Sequence, residues 1–160
     1  MLSILEGAGA LVPVTLSTVL GDPGAFVVEP DVAWRAWMEL GHDEMLVRLI
    51  SGRVGRPGFR GRAEGAAMVA WVVREAWTRL GRDELGVMIT HDTILGPVAA
   101  SWCDDWPGAV SAPAFLEPAA CSFTEGRLVV TWRDLTVTVA QGDPPGPNPD
   151  RGPPSTSRQD

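Results

Sequence analysis

The chain reads as an α/β domain, with helices layered against a mixed sheet, and three stretches predict it. Residues 85–90, Leu-Gly-Val-Met-Ile-Thr, are apolar on both alternating faces, the pattern of a strand covered above and below as in a parallel sheet. Before that run, Met68, Val69, Val72, Val73, Ala76 and Leu80 recur at i, i+3, i+4 and i+7, while Arg74, Glu75 and Arg79 take the outer side of a long helix. After it, residues 114–123 and 127–132 flank the turn Thr124-Glu125-Gly126 as a β-hairpin, and Leu135, Val137 and Val139 alternate with threonines as a last strand or its continuation. At 160 residues, 45% of them hydrophobic, the chain supports one compact domain burying roughly two-thirds of its unfolded surface.

The remaining elements follow in chain order. Residues 1–10 read as a helix fragment with Leu2, Leu5 and Ala8 on one face, closing at Gly7 and Gly9. Val12, Val14 and Leu16 alternate with Pro13 and Thr15 as a half-buried strand, and Pro13, with no N–H to donate, places it at an edge. Leu20-Gly21-Asp22-Pro23-Gly24 is turn chemistry. Pro30-Asp31 opens a helix with Ala33, Trp34, Trp37 and Met38 facing inward. Gly41 interrupts it, and a second helical piece with Met45, Leu46, Leu49 and Ile50 inward runs to about Ser51. Residues 52–61 hold four glycines, a proline and three arginines, the composition of an exposed loop. The segment after His91 is helical by the spacing of Ile94, Leu95, Val98 and Ala99. Because Pro97 tolerates only the first helical turn, that helix is expected to start near Gly96. Trp34, Trp37, Trp71 and Trp77 fall at helical core spacing, and Cys103 and Cys121 read as buried free thiols. Six of the 20 residues from Gln141 onward are proline and none is large and apolar. The domain is therefore expected over 1–140, followed by a disordered tail over 141–160.

Charge and composition remove several functions. With 13 basic against 20 acidic residues the net charge is -7, which repels nucleic acid and anionic membranes. No stretch approaches the ~20 apolar residues of a membrane span, and no basic segment with an apolar core opens the chain, so a cytoplasmic location is expected. Two histidines and two scattered cysteines give no metal-ligand spacing, and no cofactor motif is present. No Gly-x-Ser-x-Gly elbow supports a hydrolase triad.

The chemistry gathers at Thr90-His91-Asp92-Thr93, where a strand-like run ends and a helix begins. Ligands of open α/β sheets bind at that end, and a helix start offers free N–H groups and partial positive charge to an anion. A histidine there could be nucleophile, general base, ligand or charge stabiliser; phosphate chemistry fits best, with Asp92 as the acid beside a leaving oxygen. The plainer alternatives are a structural histidine, an Asp92 N-cap and a Thr93 cap. His42-Asp43 repeats the pair without a preceding strand, and Asp22 lies in ordinary turn chemistry.

Val87-Met88-Ile89-Thr90-His91-Asp92-Thr93-Ile94-Leu95 resembles the second-histidine motif of the histidine phosphatase superfamily, more closely the branch in which that histidine precedes aspartate. Leu20-Gly21-Asp22-Pro23-Gly24-Ala25-Phe26-Val27, the Trp-rich helix after it and Phe115-Leu116-Glu117 are similar to the corresponding parts of bacterial members, so the resemblance covers residues 1–139. It implies a three-layer, phosphoglycerate-mutase-like sandwich with a mixed, mostly parallel sheet. His91 and Thr93 would bind phosphate, His91 and Asp92 would be the catalytic pair, and the substrate would be a phosphorylated small molecule. The family's nucleophilic Arg-His-Gly does not occur in the sequence, and no arginine role passes to Arg60 or Arg62, which lie in no matching motif. The resemblance thus implies an N-terminally truncated domain from a split or mis-started gene. Such a domain would be inactive alone, with apolar faces and strand edges exposed where the first strand is missing, and would suit a non-catalytic pseudo-phosphatase module whose sheet another chain completes.

Overall fold

The computed structural model describes residues 14–54, 57–103, 113–114 and 117–139. Four helices precede three strands: α1 (Pro30–Leu40), α2 (His42–Ser51), α3 (Arg62–Trp77), α4 (Asp92–Trp102), β1 (Ala120–Thr124), β2 (Arg127–Trp132) and β3 (Leu135–Val139). The expected helix over residues 1–10 and the tail over 141–160 lie outside the described residues.

α1 starts with Pro30 at its first position, where the missing N–H costs nothing, and Asp31 sits in the first turn near the positive end of the helix dipole. Gly41, at φ +78°, ends α1 and opens α2, which buries the expected Met45, Leu46, Leu49 and Ile50. The inward face of α1 is the expected one only in part, through Ala33 and the half-buried Trp37. Ala33 and Ala36 are buried, whereas Trp34 and Met38 are 66% and 69% exposed. α1 approaches the body through Ala33, Ala36 and Trp37, leaving Trp34 and Met38 on the outside. Trp71 and Trp77 are likewise exposed, and of the two thiols Cys103 is buried while Cys121 is not.

α3 buries Gly65, Ala66, Val69 and Val73, and ends at Trp77 rather than Leu80. α4 begins at Asp92, four residues before the expected start, so Pro97 lies inside it. Pro97 and Val98 are among the most deeply buried side chains, which compensates for the backbone hydrogen bond that Pro97 does not make. α4 lies close on α2 at Gly96, where a Cβ would stand 3.0 Å from Ile50 Cδ1. The main core joins Phe26, Leu49, Ala66, Val69, Ile94 and Val98 to Leu128, Val130 and Val139 of the sheet, and Leu46, Ile50 and Ala100 form a second cluster between α2 and α4.

The chain is mixed α/β, but its described sheet is antiparallel, in the order β1-β2-β3, rather than mostly parallel. The connections require this. Glu125 and Gly126, both at positive φ, form a two-residue hairpin turn between β1 and β2, and Arg133-Asp134 joins β2 to β3; only antiparallel neighbours are reached by so short a link. β2 alternates as expected, with Leu128, Val130 and Trp132 buried.

Residues 85–90 are the largest departure. They form no strand pairing among the described residues, and Leu85, Val87 and Ile89 are exposed rather than covered on both faces. Val14 and Leu16 are also exposed and unpaired, so the expected strand there does not form among the described residues. A strand needs a neighbour, and for both runs the described chain supplies none.

Candidate functional site

The unpaired run ends at Thr90, whose Oγ1 donates to the Leu20 carbonyl at 2.8 Å and fastens the start of α4 to the turn preceding α1. His91 is the N-cap residue of α4, with extended φ/ψ of -101° and 159° and no side-chain capping bond. Its ring is exposed and makes no hydrogen bond among the described residues. The N-cap position, the plainer alternative for Asp92, therefore belongs to His91.

Asp92 is the first helical residue, and both of its carboxylate oxygens are occupied. Oδ1 accepts from the Thr93 N–H at 2.7 Å, and Oδ2 lies 3.0 Å from His42 Nε2 at the start of α2. The structure thus joins two helix N-termini through a histidine–carboxylate pair, with side-chain exposures of 52% and 34%. His42 is the residue whose place at this site the sequence did not reveal. Its one local signal was its position after Gly41, at the start of a helix.

The anion-binding capacity of the α4 N-terminus is smaller than a bare helix start would offer. The Ile94 and Leu95 N–H groups both donate to the His91 carbonyl, at 3.0 and 2.9 Å, and the Thr93 N–H is taken by Asp92. The Asp92 N–H remains, beside the free imidazole of His91. Thr93 is half-buried, and its hydroxyl carries no hydrogen bond among the described residues. Such a constellation can hold a small oxyanion through one amide, one imidazole and the helix dipole.

Neither Arg60 nor Arg62 completes it. Arg60 Nη1 donates to the Ala25 carbonyl at 2.6 Å and its Nε to Glu64 at 2.9 Å, while Arg62 Nη1 donates to the Ile50 carbonyl at 2.8 Å. Both guanidiniums hold the chain around a hollow of about 270 Å³ that also touches Phe26, Leu49, Val54 and Phe59, and His91, Asp92 and Thr93 do not line it. Among the described residues, no cluster of three or more His, Cys, Asp or Glu is placed to hold a metal ion.

Glu117 has a structural role. Arg133 grips it through Nε on Oε1 and Nη2 on Oε2, Trp132 Nε1 donates to Oε1 at 2.8 Å, and the Ala114 N–H donates to Oε2 at 2.7 Å. These donors, Arg133 foremost, hold the Glu117 carboxyl down at about 2 against an ordinary 4.5. Phe115 and Leu116, which carry the resemblance with it, lie outside the described residues.

The chain matches no protein-family model, no curated protein and no solved structure. Among the described residues no helix is long and apolar enough to cross a membrane.

Proposed function

We propose that this chain is a partial histidine-phosphatase-like domain, of phosphomonoester hydrolase or mutase lineage, that binds phosphate at His91 without turning over phosphate esters on its own. The observation that carries the reading is the free, exposed His91 imidazole at the N-cap of α4, next to the unpartnered Asp92 N–H. Protonated, that ring places a cation where the helix dipole already favours an anion.

Turnover needs more. Phosphoryl transfer depends on cations that neutralise the equatorial oxygens, and each lost clamp costs about 10³-fold in rate. The sequence holds no Arg-His-Gly nucleophile, and Arg60 and Arg62 are engaged on backbone carbonyls. Both oxygens of Asp92, which the resemblance makes the proton donor, are already engaged, Oδ1 by the Thr93 N–H and Oδ2 by His42 Nε2. A second reading, a non-catalytic interaction module, is favoured by the exposed apolar run before His91. The free thiols Cys103 and Cys121 suit a reducing, cytoplasmic setting for either.

Calorimetry with inorganic phosphate and with vanadate tests the binding. Heat is expected from the native chain and not from His91→Ala, and equal heats from the two would overturn the phosphate site. Hydrolysis of p-nitrophenyl phosphate is expected to stay at background. Robust turnover lost in His91→Ala would refute the inactivity.

A further inference from the structure

We infer that the hollow between the end of α2 and the start of α3 is a binding site for a small monocarboxylate with an aromatic or branched apolar body, held by Arg60 and Arg62. The inference goes beyond the phosphate reading and shares no residue with it, since His91, Asp92 and Thr93 do not line this hollow.

The apolar half of the site is preformed. Phe26 and Leu49, each 3% exposed, give the hollow a floor continuous with the main core, and the half-buried Val54 and Phe59 stand at its sides. The wall that carries Phe59 is pinned by the chain itself: Val27 and Phe59 pair as an antiparallel bridge, the Arg60 N–H donates to the Phe26 carbonyl at 2.8 Å, and the Val28 N–H donates to the Gly58 carbonyl at 2.8 Å. A ready-made concavity with apolar walls and a few convergent polar groups is the common form of a small-molecule site. Its volume of about 270 Å³ falls just under the roughly 300 Å³ at which drug-sized sites begin, so the guest is smaller, with about ten non-hydrogen atoms.

The polar half selects an anion. The ionisable residues that line the hollow are both arginines, in a chain whose net charge is -7. Of the five N–H groups a guanidinium carries, Arg60 spends two within the chain, on Glu64 and the Ala25 carbonyl, and Arg62 spends one, on the Ile50 carbonyl. The Arg60 side chain is only 11% exposed, and a guanidinium so far from water gains from an anion set against its remaining donors. Arg62, by gripping the Ile50 carbonyl, also offsets the negative end of α2. Forked donors match the two oxygens of a carboxylate. Inorganic phosphate has no apolar part and leaves the four apolar walls unused, a neutral hydrophobe leaves the guanidiniums unused, and a carboxylate on an aromatic body uses both.

Calorimetric titration of phenylacetate into the full 160-residue chain tests this. Saturable binding is expected, with a Kd on the order of 0.1–1 mM, and phenylacetamide, which has the same shape without the charge, should bind about tenfold more weakly or worse. Arg62→Gln should weaken phenylacetate by about tenfold. Val54→Trp, which fills the hollow with an indole, should abolish binding, with circular dichroism checking that both variants fold. His91→Ala should leave the phenylacetate Kd unchanged, so a failure here and a failure of the phosphate site are told apart. Two results on the native chain alone overturn the proposal, whatever the variants do: no binding of phenylacetate, or equal affinity for the amide. Phenylacetate binding that survives in a folded Val54→Trp chain, or that disappears in His91→Ala, overturns it as well.

Discussion

Gly65 lies against the Phe26 ring in the core, and replacing Gly65 with alanine sets two effects of opposite sign against each other. A Cβ at Gly65 would overlap Phe26 Cε1 and Cδ1 and stand 3.0 Å from Cζ. The ring is buried and its backbone is pinned: Phe26 is 3% exposed, and its carbonyl accepts the Arg60 N–H at 2.8 Å while Arg60 Nη1 holds the preceding Ala25 carbonyl. Forcing a methyl group into such a contact costs about 1–3 kcal/mol, and an overlap with two ring atoms lies at the upper end of that range. Alanine in the interior of α3 returns about 1 kcal/mol of helix propensity. The net expectation is that Gly65→Ala destabilises by roughly 1–2 kcal/mol. Urea unfolding followed by tryptophan fluorescence measures it, and Phe26→Leu, which removes the far edge of the ring, should reduce the penalty of Gly65→Ala in a double-mutant cycle. A Gly65→Ala chain as stable as the native one, or more so, would refute the claim that this contact sets how α3 seats on the core.

Gly58→Ala should cost about 1–3 kcal/mol by the same measurement, since Gly58 sits at φ +89° and its Cβ would lie 2.9 Å from Val32. Glu117→Gln should lower stability at neutral pH by about 1–2 kcal/mol, because the Arg133, Trp132 and Ala114 donors all lose their charged acceptor. The sign with pH follows from the depressed carboxyl: its contribution is complete above the ordinary 4.5 and disappears as pH falls toward about 2, so urea midpoints of native chain and variant should converge across that interval.

How far the sequence disclosed the fold depended on whether each signal was local. The helix over α2 was legible because Met45, Leu46, Leu49 and Ile50 repeat at helical spacing. The hairpin was legible because Glu125-Gly126 is a turn dipeptide between alternating runs. α1 misled at Trp34 and Met38 because large apolar residues dominate a periodicity reading, whereas the helix packs through Ala33, Ala36 and Trp37. Residues 85–90 misled for a different reason: apolar character on both faces states what a strand would bury against, and says nothing of whether the covering elements are there. At the candidate site, His91 and Asp92 stood out because they follow an apolar run and open a helix. The His42–Asp92 pair spans 50 residues of sequence, and the grip of Trp132 and Arg133 on Glu117 spans 15 and 16, so neither left a local trace.

That long-range pair decides what Asp92 does to an anion bound at His91. If Asp92 is a carboxylate held by the Thr93 N–H and His42, it repels phosphate across the few ångströms separating the first turn of α4 from its N-cap. Between exposed unit charges in salt this is worth about 0.5–1 kcal/mol. Asp92→Asn should then tighten phosphate roughly two- to fivefold, and His42→Ala, which removes a compensating donor, should loosen it by a similar factor while changing stability by less than about 1 kcal/mol, as expected for an exposed pair. A proton-donating Asp92 predicts the opposite sign, because Asn would lose an O–H donor to the phosphate with no repulsion to relieve. Calorimetric titration of phosphate into the three chains at low and high salt separates the two. Weaker binding to Asp92→Asn than to the native chain would return Asp92 to the role of acid, and with it the expectation that this domain, given a nucleophile and an arginine clamp from elsewhere, is one half of a working phosphatase.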